Sequence, residues 1–264
     1  MSTLTQFYGA SSANLVPVEL LILGGGGAGT STNSTSATPG YGGGSGRLIL
    51  SSTKVSKSIS YAVTIGGGGA AALGSAASGS SSFFGVLEAA GGLGGGAISG
   101  PSFCGSSGGI LTSATNAPGY IGIQWPSFLQ FNSFDDYFQS FASLGGVSTA
   151  PTSGASGGGP AKAVSITGSS VTYAQGGVGR TATAGVSAGV NGGANTGTGG
   201  GGASSTVANT GGLTYLGGNG GSGVVIIAYQ DTYPAPTSIT GTYNEPTRTG
   251  YRVYRFTGSG SITF

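Results

Sequence analysis

The chain has 264 residues, of which 59 are glycine and only 5% are charged, with eight Lys or Arg, six Asp or Glu and no histidine. Ordinary globular proteins have about 7% glycine and about 25% charged residues, and nucleic-acid binding needs clustered Lys and Arg that are missing here. The lack of histidine, together with a single cysteine (Cys104), excludes the usual zinc sites and an internal disulfide framework.

Residues 1–14 form a polar and aromatic leader in which Phe7 and Tyr8 are candidate attachment anchors. The leader lacks the basic segment of a signal peptide, so we expect synthesis in a cytoplasm without export. The apolar stretch that follows, 15–23, is too short to span a bilayer. We therefore expect no membrane insertion.

Six short apolar runs predict β-strands in a mainly β fold. Pro17 near the start of the first run has no N–H group, which predicts that this strand begins at a sheet edge. Residues 59–65 alternate apolar and polar as a half-buried strand does. Residues 224–229 (VVIIAY) are continuously apolar and predict a fully buried strand. The predicted strands are 16–23, 47–51, 59–65, 83–89, 171–174 and 224–229.

Glycine-rich tracts separate these strands. Glycine loses more backbone entropy on folding than other residues and buries almost no side chain. Polyglycine can form an extended helix with three residues per turn, whose N–H and C=O groups point outward and must bond neighbouring chains. The tracts therefore predict a packed bundle of polyglycine-II-like segments. The clearest tracts are 24–29, 42–46, 66–69, 91–96, 197–202 and 217–223.

An aromatic insertion at 119–150 interrupts the glycine-rich pattern. Within it, residues 134–144 have aromatic and leucine side chains at helical spacing, Ser133 and Asp136 resemble an N-terminal cap, and Gly145 can end a helix. The sequence therefore predicts one short helix around 134–144.

The same insertion is the most natural binding element in the sequence, because aromatic side chains stack on sugars and dominate interface contacts. The alternative is a local core packed against a sheet, and both interpretations stay open at this point. The candidate receptor or partner contacts are Trp125, Phe128, Phe131, Tyr137 and Phe138.

Residues 231–264 contain no glycine run and predict a separate C-terminal β module. The runs 251–256 and 262–264 are separated by Ser259 and Gly260, which predicts a C-terminal β-hairpin. The predicted domains are therefore a leader (1–14), a glycine-rich domain (15–230) and this module.

No motif predicts catalysis or a cofactor. Gly24, Gly26 and Gly29 match the dinucleotide fingerprint after a strand, but loop-like residues replace the helix that the motif requires. Ser156 lies in a G-x-S-x-G pattern, yet the chain has no histidine to activate a serine. Asp135 and Asp136 are adjacent, which is typical of helix-start acids rather than of a glycosidase pair. We therefore expect no enzyme activity, no cofactor and no metal.

Three segments in this order, VELLILGGGGAG, YAVTIGGGG followed by SSFFGVLEAAGG, and GGNGGSGVVIIAY, resemble the glycine-rich domain of bacteriophage tail-fibre and virion structural proteins. The resemblance covers about residues 15–230, and GYRVYRFTGSGSITF is similar to a module that closes such proteins. In related tail-tip adhesins, polyglycine helices form a sandwich and loops at its distal end bind the host receptor. The resemblance implies a virion protein of tail-fibre or adhesin type.

The implied partners are other virion proteins and a host cell-surface glycan or outer-membrane protein. Low charge and exposed strand edges also predict a homo-oligomer, with a trimer by analogy to other fibres. The alternative is a purely structural virion protein, such as a capsid decoration or tail accessory, which docks on other virion proteins.

Overall fold

The computed structural model describes residues 14–33, 40–95, 137–141, 157–181, 187–205 and 214–264. In this part of the chain the protein is mainly β, with antiparallel strands and no α-helix. The strands are β1 (Leu15–Leu23), β2 (Leu48–Ser56), β3 (Ser60–Thr64), β4 (Ala71–Ala72), β5 (Ser75–Ala76), β6 (Ser82–Phe84), β7 (Leu87–Ala89), β8 (Tyr137–Phe141), β9 (Lys162–Val164), β10 (Val171–Tyr173), β11 (Val224–Gln230), β12 (Ser238–Thr240), β13 (Tyr243–Asn244), β14 (Tyr251–Phe256) and β15 (Gly260–Thr263).

A six-stranded sheet with the order β13-β14-β11-β1-β2-β8 forms the centre of the fold. β1 pairs with β2 along its whole length, whereas its pairing with β11 begins only at Glu19. Among the described residues, the first residues of β1 therefore have a strand neighbour on one side alone. Pro17 lies in this one-sided part, which confirms the position predicted from its missing N–H group.

The central sheet is buried on both faces. One face packs against a five-stranded sheet with the order β12-β15-β3-β6-β7, and the other packs against the β9–β10 hairpin. Residues 224–229 of β11 are at most 1% exposed because side chains from both of its faces enter a core. The prediction of a fully buried strand here is confirmed.

The predicted helix around 134–144 is wrong. Residues 137–141 form β8, which pairs antiparallel with Leu48–Ser52 of β2. Without β8, the N–H and C=O groups on that edge of β2 would have no strand partner among the described residues, and aromatic residues suit a sheet. Helical spacing of the aromatics was therefore outweighed by backbone pairing that only the tertiary fold supplies.

The predicted C-terminal hairpin is also wrong in its pairing. Both strands form, but β14 pairs with β11 and β13 in the central sheet, whereas β15 pairs with β12 and β3 in the second sheet. The chain crosses between the sheets at residues 257–259. This crossing lets Phe256 and Ile262 enter the same core from opposite sides.

The segment 83–89, predicted as one strand, is a hairpin of β6 and β7. The chain reverses at Gly85, which has a φ of 56° in the left-handed region that favours glycine. Val86, next in the turn, is 96% exposed. A single glycine inside an apolar run was the signal for this turn.

Arg248 ties the C-terminal residues to the rest of the fold. Its two terminal nitrogens donate to the two carboxylate oxygens of Glu19 at 2.6 and 3.2 Å, and its guanidinium carbon lies 3.6 Å from the centre of the Tyr251 ring. Nη1 also donates to the Ile166 carbonyl at 3.4 Å. The hydrogen bond to Glu19 is the main cause of the raised pKa of Arg248, so this side chain stays charged across the usable pH range.

We expect Arg248→Met to lower the free energy of unfolding by about 1–2 kcal/mol, because a bidentate charged pair and a cation–π contact are lost at a partly exposed site. Denaturant titration measures this change, and a double-mutant cycle with Glu19→Gln isolates the pair. Lys162→Met, at an exposed position of β9, is the matched control and should change stability by less than about 0.5 kcal/mol. Equal effects of both substitutions would argue against the pairing.

Candidate functional site

The glycine-rich tracts leave the sheets together and form one bundle. Residues 24–30, which directly follow β1, are its central tract. Their N–H groups bond to three different tracts in turn, and the same neighbour recurs at every third residue, as expected for three residues per turn. Gly24, Gly27 and Thr30 donate to residues 40–47; Gly25 and Ala28 donate to 77–80; Gly26 and Gly29 donate to 217–221.

The carbonyl groups of the central tract accept hydrogen bonds from three further tracts. Gly25 and Ala28 accept from residues 91–95, Gly27 and Thr30 accept from 197–203, and Gly26 accepts from Gly69. The central tract therefore has six neighbours, three that accept from it and three that donate to it.

These six neighbours also bond to one another around a closed ring. The bonds that join successive members are Gly43 N–H to Gly200 O, Gly44 N–H to Leu93 O, Gly79 N–H to Gly92 O, Ser80 N–H to Gly67 O, Gly220 N–H to Gly69 O and Gly218 N–H to Gly201 O, all between 2.8 and 2.9 Å. This is hexagonal packing of extended chains. It confirms the bundle predicted from the glycine tracts.

Glycine is required by how closely these backbones approach. A Cβ built on Gly25, Gly27 or Gly29 would lie 2.0 Å from a carbonyl oxygen of a neighbouring tract. Rotation of a side chain cannot relieve such a contact, because the position of a Cβ is fixed by its own backbone and the oxygen opposite belongs to the backbone of another tract. Ala28, Ser45 and Ala203 are buried in the same bundle, so small side chains are accepted only at particular positions.

At some positions of the bundle, a polar side chain takes the place of a backbone acceptor. At these positions, N–H groups donate to side-chain oxygens at 2.8 to 2.9 Å instead of to carbonyls. The pairs are Gly66 with Ser82, Ala71 with Asn219, Gly217 with Ser31, and Asn219 with Asn191. Serine and asparagine oxygens thus satisfy these backbone donors.

The molecule has two distinct ends. At the end of the sheets away from the bundle, which we call the base, Lys57 N–H donates to Asn14 O and Ser58 N–H donates to Phe264 O. Residues 14 and 264 therefore both lie at the base. Residues 1–13, with the predicted anchors Phe7 and Tyr8, lie outside the described residues.

At the opposite end, which we call the free end, the described tracts stop at residues 33, 181 and 205 and resume at residues 40, 187 and 214. Three isolated bridges lie near it, and they join Thr32 to Tyr215, Gly40 to Arg180 and Ser187 to Ser204. The tract ends that are joined by 34–39, 182–186 and 206–213 all lie here. These three connections contain no charged residue.

Tyr41 is the aromatic residue of the tract 40–47. Its N–H donates to Thr30 Oγ1 at 2.8 Å. Its hydroxyl is buried and has no hydrogen-bond partner in the described part of the chain, and burial raises its pKa. The phenol therefore stays protonated near neutral pH.

The predicted contact residues fall in two groups. Tyr137 and Phe138 lie in β8, at the edge of the central sheet, where their backbone pairs with Ser52 and Ser51. Trp125, Phe128 and Phe131 lie outside the described residues, as do Asp135, Asp136 and Ser156. The structure thus places Tyr137 and Phe138 beside β2 rather than at the free end.

The glycines of the dinucleotide-like motif have a packing role. The N–H groups of Gly24, Gly26 and Gly29 all bond to carbonyls of other tracts. In the described residues, no three His, Cys, Asp or Glu side chains are grouped so that they could hold a metal ion. No helix within the same residues has the length and apolar character needed to cross a membrane.

Three exposed aliphatic side chains lie on outer tracts of the bundle, and the sequence analysis did not single them out. Val178, Val190 and Leu216 are 47%, 67% and 47% exposed. Their carbonyls accept from Gly202, Gly201 and Gly189 respectively, which places the three residues on neighbouring tracts. The only signal for these exposed side chains in the sequence was an isolated valine or leucine among glycines.

Comparison with curated proteins and with solved structures found no match. The family model described as a glycine-rich domain matches residues 3–230, which include every tract of the bundle and the strands from β1 to β11. The chain therefore belongs to the glycine-rich domain family.

Proposed function

We propose that this chain is a non-enzymatic bacteriophage virion protein of tail-fibre or adhesin type. In this role the bundle is a stiff spacer, the base attaches to the particle, and the opposite end presents the chain to a host surface. Host-surface glycans or outer-membrane proteins are the proposed targets. The protein would be made in the host cytoplasm and assembled into the virion without a cofactor.

The observation that carries this proposal is the polarity of the molecule. Residues 14 and 264 lie at the base, whereas the tract ends that are joined by bridges, such as Gly40 with Arg180 and Ser187 with Ser204, lie at the free end. The hydrogen-bonded tracts between the two ends fix their separation, because each inner tract is held by neighbours on several sides. A rigid display element needs this arrangement, and the sequences that join these tract ends are uncharged, which suits recognition through hydroxyl and amide groups. Many copies on one particle would turn weak contacts into stable attachment.

The aromatic insertion is the second proposed contact element. Tyr137 and Phe138 belong to a sheet strand, so their replacement would also affect folding. Trp125, Phe128 and Phe131 therefore make the sharper test. We expect the triple alanine variant to bind host cells at least about tenfold more weakly, since aromatic hot spots each contribute about 2 kcal/mol or more.

The test is a pull-down of purified protein with host cells, with the unfolding midpoint of each variant measured in parallel. Reduced binding with an unchanged midpoint supports the contact role. A lowered midpoint indicates instead that the three aromatics form a core. Failure of the unmodified protein to bind any host surface contradicts the adhesin proposal.

The alternative is a structural virion protein that docks on its neighbours in the particle. It is favoured by the pairing of β8 within the central sheet, which gives part of the insertion a structural role. Antibody labelling of intact particles separates the two proposals. Label at the distal tip of the tail supports attachment, and label on the capsid or tail body supports the structural role.

A further inference from the structure

One position beside the tract 197–203 has no chain in the described part of the structure. The carbonyls of this tract follow the period of three. Those of Gly197 and Gly200 accept from residues 40–46, and those of Thr198 and Gly201 accept from 217–221. The carbonyls of Gly199 and Gly202 share the third direction, and no backbone N–H group among the described residues bonds to them.

The two tracts that flank this position direct N–H groups towards it. Gly177 and Arg180 donate to the tract 40–47, and Gly176 donates to Gly159, so the remaining direction of that segment belongs to Val178. In the other flanking tract, Gly189 and Gly192 donate to residues 216–219, and Val190 directly follows Gly189. In the described part of the chain, neither valine N–H has a backbone acceptor.

The two valines border the same side of the inner tract. A Cβ built on Gly201 would lie 3.1 Å from Val190 N and 3.6 Å from the Val178 carbonyl oxygen. Both valine side chains are exposed, and residues 175–179 and 187–193 contain no charge. The position therefore has the acceptors of two buried glycines on its floor, backbone donors on its sides and an aliphatic rim, and we call it the groove.

We propose that this groove is a self-association site, filled by an extended glycine-rich segment from a second copy of this chain. Around the central tract, the six equivalent positions are all filled by extended segments of the chain itself. The groove requires the same kind of occupant, which is an extended segment. Its N–H groups repeat about every 9 Å along the chain and would meet the carbonyls of Gly199 and Gly202. The uncharged rim adds no repulsion between identical copies. This site is independent of host attachment.

Amide hydrogen exchange at increasing protein concentration tests the proposal directly. We expect the Val178 and Val190 amides to exchange rapidly in dilute protein and to slow by at least tenfold as copies associate. The Gly177 and Gly189 amides already bond to Gly43 O and Leu216 O, so they should be protected at every concentration. Valine amides that are protected in dilute protein, or exposed at all concentrations, would overturn the proposal.

A comparison of two variants provides a second test. The double substitution of Val178→Glu and Val190→Glu places two like charges at the rim, so we expect the association measured by sedimentation equilibrium to weaken at least tenfold. Val86→Glu is the matched control, because this valine is 96% exposed in the turn between β6 and β7, and it should associate as the unmodified chain does. A monomer at all concentrations, or equal association of all three proteins, would exclude the site.

Discussion

We expect Gly27→Ala to destabilise the fold by more than about 3 kcal/mol, the upper range for forcing extra atoms into a packed interior. The new Cβ would lie 2.0 Å from Leu93 O and 2.3 Å from the Leu93 carbonyl carbon. Relief would require the tract 91–95 to move, and that movement would break its bonds to Gly25, Ala28 and Gly44. Denaturant unfolding of purified protein, or loss of soluble expression, measures the effect.

Gly67→Ala is the matched control in a neighbouring tract. A Cβ at Gly67 meets no atom within 4 Å, and the residue is not among those with positive φ. Alanine there should stabilise the protein by about 0.4–1 kcal/mol, because it reduces the entropy of the unfolded chain. The same chemical change should therefore have opposite signs at the two positions. If the free energies of unfolding of both variants lie within about 1 kcal/mol of that of the unmodified protein, close backbone packing is not the reason that glycine is required.

We expect a chain that ends at residue 230, where the family match stops, to be unable to fold. The missing residues supply β14, which pairs with β11 over six positions, and β15, which pairs with β3 over four. They also supply Tyr254, Phe256, Ile262 and Phe264, each at most 6% exposed in the core between the sheets. Burial of these four side chains contributes on the order of 10 kcal/mol, comparable with the whole stability of a typical domain.

The control keeps every residue but cuts the chain. A protease site inserted at Ala235, in an exposed stretch between β11 and β12, severs the same connection in the folded protein. We expect the two fragments to stay together on size exclusion with an unchanged circular dichroism spectrum, because strand pairing holds the C-terminal fragment. A truncated chain that is soluble with native strand content would show that residues 15–230 fold alone, as the predicted domain division implies.

Local patterns determined much of the fold. Continuous apolar runs identified β1 and β11, and glycine tracts identified the bundle, because a chain without side chains can satisfy its backbone only through neighbouring chains. Alternation in 251–256 also placed Val253 and Phe256 on opposite faces, where the two cores receive them. These features depend on the residues themselves and on their spacing, so they can be inferred without knowing the neighbours.

The choice of partner was decided only by the tertiary structure. YFQSF at 137–141 has both helical and strand features, and the edge of β2 selected the strand. β14 and β15 could have paired with each other, but β14 pairs with β11 in one sheet and β15 pairs with β3 in another. Which glycines tolerate a side chain depends likewise on what lies opposite, as Gly27 and Gly67 illustrate. Pairing joins residues that are distant in sequence, so its energy appears only when both partners are in place.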